Sequence, residues 1–184
     1  MYERNSLGLS DLSDLYARHS RMVLGYLRGQ RAADPEDLMS EVFIGVFRGL
    51  DTFVGDDDAF RSWVLVIAHR RLLDERRRLG RRPSSAVEPK RLNELVDAHE
   101  RGDVEEEALE RLATTRVLQA LDALTDDQRT VVLLHTVGGL GLPQIAAMLG
   151  KRLGAVKSLH HRGLAAAARS IGSPAEWAKS GVGP

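Results

Sequence analysis

The 184 residues hold 26 basic and 26 acidic side chains, 43% apolar residues and no cysteine, which allows a buried core in one ordinary domain or two small ones. The lack of cysteine excludes disulfides, thiolate metal ligands and a cysteine nucleophile within this chain. No basic start leads into an apolar run, and no stretch of about 18 uncharged apolar residues occurs, so export and membrane insertion are disfavoured and a cytoplasmic protein is expected. The zero net charge conceals blocks of −5 over 1–60, +6 over 61–82, −5 over 83–114 and +4 over 115–184. Two basic surfaces divided by an acidic connector suit a polyanion, and the acidic N-terminal block suits a different partner.

Apolar residues recur at helical spacing and nothing alternates long enough for a strand, which predicts an all-α protein. A first helix is expected from about Asp11 to Arg28, with Leu12, Leu15, Tyr16, Val23, Tyr26 and Leu27 on one face. Asp34-Pro35-Glu36-Asp37 supplies a cap, a first-turn proline and carboxylates at the positive end of a second helix. That helix turns Leu38, Val42, Phe43, Val46, Phe47 and Leu50 inward and ends near Leu50. Gly55-Asp56-Asp57-Asp58 makes a loop and cap, and a third helix follows with Phe60, Trp63, Val64, Ile67 and Leu72 buried and an arginine-rich second half.

Arg81 to Ser85 (RRPSS) breaks the pattern, and the acidic stretch after it has the low apolar density of a linker. Helicity resumes near Glu106 with Leu109, Leu112, Val117, Leu121 and Leu124. Thr125 and Gln128 form a capping-box pattern opening a helix through VVLLHTV, which Gly138-Gly139 stops. Leu142 to Leu149 is a short helix, and a last one starts near Leu153 and runs into AAAAR. Residues 172–184 are expected to be disordered. The expected organisation is therefore two small helical domains, 1–82 and 115–171, joined by a polar linker at 83–114.

In IAAMLGKRLGAVKSLHHR, Ala146, Gly150 and Val156 stand at offsets of four and ten residues. They supply the small crossing residue, the turn glycine and the locking branched residue of a helix-turn-helix. The exposed face of its second helix would carry Arg152, Lys157, Ser158, His161 and Arg162, suited to phosphates and base edges. The adjacent His160 and His161 point about 100° apart on a helix with no third ligand near, so no metal site is expected. No cofactor is expected either.

The wider stretch LQALDALTDDQRTVVLLHTVGGLGLPQIAAMLGKRLGAVKSLHHR resembles region 4, the promoter-binding domain of bacterial sigma factors. DLYARHSRMVLGYLRG, DPEDLMSEVFIGVFRGLDTF and FRSWVLVIAHRRLLDERRR resemble region 2. Both in order, with a short linker, resemble the extracytoplasmic-function (ECF) type over roughly residues 11–169. The resemblance implies binding to core RNA polymerase through Asp37, Leu38, Glu41 and Phe47. It implies minus-10 recognition and melting by Phe60, Arg61, Trp63, His69, Arg70, Arg71 and Arg77, although the apolar stripe also claims Trp63 for the core. Minus-35 contacts would come from Arg152, Ala155, Lys157, Ser158, His161 and Arg162. An anti-sigma factor is implied as a further partner. The chain departs from the family at Arg70, where asparagine is usual, and at Leu159-His160, where arginine then leucine are common. In the family's helical phase His160 turns to the core and Leu159 outward, an arrangement that a small rotation reverses. Two other readings exist: a helix-turn-helix regulator independent of polymerase, and a nucleic-acid enzyme. The latter would need clustered carboxylates such as Asp56-Asp57-Asp58, and consecutive residues rarely converge on one ion.

Overall fold

The computed structural model describes residues 9–80 and 116–171, and among these there are helices and no strand. The N-terminal part is α1 (Leu9–Gly29), α2 (Pro35–Gly49), a 3-10 turn at Leu50–Thr52 and α3 (Asp57–Gly80). The C-terminal part is a helical segment over 116–122, here α4, then α5 (Asp126–Thr136), α6 (Leu142–Leu149) and α7 (Leu153–Ser170). The expected breaker at Arg81–Ser85, the linker with Leu109 and Leu112, and the tail over 172–184 lie outside the described residues.

Local chemistry sets the boundaries. Asp34 caps α2 by accepting from the Asp37 N–H at 3.1 Å, with Pro35 in the first turn. Asp56 does the same for α3, accepting from the Ala59 N–H at 2.9 Å. The Thr125 box closes both ways, at 3.4 Å from Gln128 N–H to the threonine hydroxyl and 3.1 Å from Thr125 N–H to the glutamine oxygen. α6 ends at Gly150, whose φ of +62° is the left-handed conformation that favours glycine. The Lys151 N–H then reaches back to the Ala146 carbonyl at 3.0 Å, closing the helix end.

Val23, Tyr26 and Leu27 of α1, Leu38, Met39, Val42, Phe43 and Val46 of α2, and Phe60, Val64, Leu65, Ala68 and Leu72 of α3 build the N-terminal core. Tyr16 and Phe47 flank it, each ring against Phe43. The same buried cluster continues into Val131, Leu133 and Leu134 of α5, Ile145 and Ala146 of α6 and Val156 of α7. One expectation is corrected: Val117 does not face the core but is 57% exposed, while Leu121 and Leu124 of the same stripe are covered.

Three buried polar residues were not legible in the apolar pattern. His19 lies against Phe60, with ring centroids 5.2 Å apart. Gln30 is fully buried. Arg129 is 4% exposed, and its guanidinium donates to the Leu121 carbonyl at 2.8 Å and the Leu124 carbonyl at 3.3 Å, tying the end of α4 to α5. Burial makes an unpaired polar group costly, and these two carbonyls explain how arginine can stand on an inward face.

Candidate nucleic-acid interface

The periodicity of α7 sorts its side chains. Val156 and Gly163 are buried and Leu159 packs on the core, whereas Arg152, Ala155, Lys157, Ser158, His161 and Arg162 are all exposed. The inward stripe is held close because Gly163 faces α5: a Cβ there would stand 2.8 Å from Val132 Cγ2. α7 carries no acidic residue. Among the described residues Arg152, Lys157 and Arg162 meet no carboxylate; Arg162 donates only to its own helix, to the Ser158 carbonyl at 3.3 Å. Lys151, by contrast, is taken by Asp127 at 3.1 Å. An uncompensated cationic strip on the exposed face of α7 has the chemistry that a phosphate backbone and a groove call for.

His160 shares the inward side with Leu159 instead of exchanging with it. Its ring meets His135 edge-on at 4.6 Å, and its Nε2 is buried with no hydrogen-bond partner. Desolvation, then the neighbouring His135 and His161, hold its pKa below the ordinary 6.5. His135 is itself fixed by a 2.8 Å hydrogen bond between Nδ1 and the Leu140 carbonyl, so Nδ1 carries the proton and donates. Among the described residues no group of three or more His, Asp or Glu is placed to hold a metal ion.

In the N-terminal part, α2 exposes Asp37, Ser40, Ile44 and Arg48 along one side. Glu41 is half-buried and turned toward α3, 3.9 Å from Arg71 and 4.0 Å from Arg78. Leu38 requires correction as a surface contact: it is 3% exposed and belongs to the core, since the helix phase that presents Asp37 turns the next residue inward. Phe47 is half-covered against Phe43.

Phe60 requires the same correction, being 4% exposed beneath Phe53, Trp63 and His19. Trp63 is half-buried, stacked on Phe53 at 5.0 Å, and its ring lies over Gly49, where a Cβ would meet it at 2.9 Å. The indole therefore serves mainly as packing, and Phe53 is an aromatic neighbour that the helical stripe did not single out because it lies in the loop. Val54, beside it, is 89% exposed at the loop tip. His69 faces inward, with Nδ1 hydrogen-bonded to the Tyr26 hydroxyl at 2.8 Å, and burial followed by the nearby Arg76 lowers its pKa. Arg61 is held among Asp57 and Asp58 at 3.5 and 3.6 Å, whereas Arg70 and Arg77 are exposed and Arg71 is 41% exposed. Arg77 also donates to Asp74 at 2.9 Å.

Comparison with known proteins agrees with these two halves. The chain matches Sigma-70 region 2 over residues 15–82 and Sigma-70 region 4 over residues 114–166. It is 30% identical over 175 residues to the ECF RNA polymerase sigma factor BldN of Streptomyces coelicolor, covering 93% of this chain and 64% of that protein. To the ECF RNA polymerase sigma-E factor of Escherichia coli K12 it is 30% identical over 131 residues, covering 69% of this chain and 68% of that one. The fold also matches RpoE of Bartonella quintana, solved in complex with the anti-sigma factor NepR, with a TM-score of 0.55 at 18% identity over 86% of this chain and 97% of that chain. With region 2 and region 4 in order, and a relative of matching extent, the chain belongs to the ECF RNA polymerase sigma factors.

Proposed function

We propose that this chain confers promoter specificity on RNA polymerase, its partners being core polymerase, promoter DNA and an anti-sigma factor. It acts by binding, not by bond-making chemistry, and it works in the cytoplasm. The functional division is 1–82 for polymerase binding and the minus-10 element, 83–114 as connector, and 115–171 for the minus-35 element. The observation that carries this reading is the unpaired cationic strip of α7 in a helix-turn-helix, on the same chain as a region 2 match. Among the described residues no helix is long and apolar enough to cross a membrane. The match in fold to RpoE, solved with an anti-sigma factor, supports the inhibitor as a partner.

For the polymerase face, Asp37 is the stronger of the two carboxylates, because Glu41 is already engaged by arginines of α3. Leu38 and Phe47 position that face from below. For minus-10 DNA, Arg70, Arg71 and Arg77 offer accessible charge, with Arg61, Trp63 and His69 shaping the surface and Phe60 supporting it. Run-off transcription on genomic fragments with core polymerase tests the reading. New discrete transcripts should require the chain and disappear with Asp37→Lys, while Asp37→Asn, which keeps the side-chain shape, should weaken them with helical content by circular dichroism matching wild type. Transcripts that are the same with and without the chain would refute it.

A further inference from the structure

The two basic surfaces are not offered to DNA on equal terms. Among the described residues the cations of the α7 strip meet no carboxylate, whereas most arginines in the second half of α3 already have a partner. Arg76 donates to the Gln30 backbone carbonyl at 2.7 Å and to its side-chain oxygen at 3.2 Å, so its guanidinium is committed within the protein. Arg77 donates to Asp74 at 2.9 Å. Arg70 is exposed and, among the described residues, meets no carboxylate. Arg71 and Arg78, about two helical turns apart, share a single acid, Glu41 of α2.

Helix packing puts Glu41 there. α2 and α3 pass in opposite directions. Gly45 of α2 lies over Ile67 and Arg71: a Cβ on it would stand 3.4 Å from Ile67 Cγ2 and 3.8 Å from Arg71 Nη2. Glu41, one turn earlier, lies between Arg71 at 3.9 Å and Arg78 at 4.0 Å. Those separations are too long for hydrogen bonds. Glu41 therefore spends none of the N–H donors of either arginine and acts on both through charge, well inside a Debye length of about 10 Å at 0.1 M salt. At 34% exposure of its side chain, solvent weakens the attraction without abolishing it.

A phosphate that approaches either arginine has to do so against that carboxylate. We propose that Glu41 is a positioning residue that acts on DNA through Arg71 and Arg78. It holds the two guanidinium groups toward α2 and lowers the pull of that surface on any phosphate backbone, so the free chain meets DNA chiefly through α7. Arg78 thereby joins Arg70, Arg71 and Arg77 as a phosphate contact of α3. Giving that surface the minus-10 element rests on the sigma reading above, whereas its attenuation by Glu41 does not.

The test is binding of the full free chain to a non-promoter DNA duplex, read by fluorescence anisotropy between about 50 and 200 mM salt. Glu41→Gln, which keeps the side-chain shape, should tighten binding about three- to tenfold at the low-salt end and steepen the log–log salt slope by about one phosphate contact. Arg71→Gln combined with Arg78→Gln should flatten the slope only slightly while Glu41 is present, and adding Glu41→Gln to that pair should change nothing further. Arg152→Gln, Lys157→Gln and Arg162→Gln together should remove most of the wild-type slope. Glu41→Asp keeps the charge and should stay close to wild type. A slope that Glu41→Gln leaves unchanged would overturn the inference, as would an equal gain with and without the two arginines. Glu41→Asp behaving as Glu41→Gln would place the effect in packing and overturn it too. No polymerase enters these measurements, so silence of the wild-type chain in transcription would count against the sigma reading and leave this result standing.

Discussion

Gly150 and Arg162 illustrate two ways in which single residues matter here. At Gly150 an added Cβ meets nothing within 4 Å, so Gly150→Ala isolates the backbone cost of φ +62°. Denaturant unfolding should register a loss of about 1–2 kcal/mol; a change under a few tenths would mean the turn can relax. Arg162→Ala removes an exposed side chain that ties down no other element, so stability should shift by less than about 0.5 kcal/mol. Binding of the polymerase complex to its promoter should nevertheless weaken by about 1–3 kcal/mol. Of such residues the sequence revealed those whose type and position carry a mechanism: the caps Asp34 and Thr125, the turn glycine, the cations of α7. Gln30, His19 and Arg129 were hidden because each is buried through a partner distant in the fold or by a backbone carbonyl, and no periodicity encodes that.

At the level of elements, α7 against α5 sets the pose of the exposed strip. Gly163 is where they cross, 2.8 Å from Val132 Cγ2 at the Cβ position, so Gly163→Leu should overpack the crossing by about 1–3 kcal/mol. Lowered thermal stability together with weaker promoter binding would be expected, and wild-type behaviour in both would show that the crossing is loose. Buried histidines in α1, α3 and α7 give a pH dependence. His19, His69 and His160 all have folded-state pKa values below 6.5, chiefly from burial. The unfolded chain then binds protons more readily, so stability is complete above 6.5 and falls as the pH drops from there toward the folded values. His160→Leu should make that acid-side fall in melting temperature shallower; a curve parallel to wild type would exclude His160 as a contributor. The boundaries of α2, α5 and α6 were readable from local signals, whereas the facing of His160 was not. Both Leu159 and His160 turn partly inward, a compromise that helical phase alone does not choose.

Over the whole molecule, the two-part helical organisation followed from motif order, but the seating of one part on the other did not. It depends on glycines at 25, 29 and 138, whose role is visible only once α5 lies against α1 and α3. Under the proposed function, one chain brings polymerase to two DNA elements. The most direct measurement is a nuclease footprint on a fragment that the chain causes polymerase to transcribe, taken with the chain alone, with core polymerase alone, and with both. Protection upstream of the start site should span both elements only when both proteins are present. Strong protection of a single site by the chain alone, unchanged by core polymerase, would contradict it and mark the chain as a regulator that binds DNA independently.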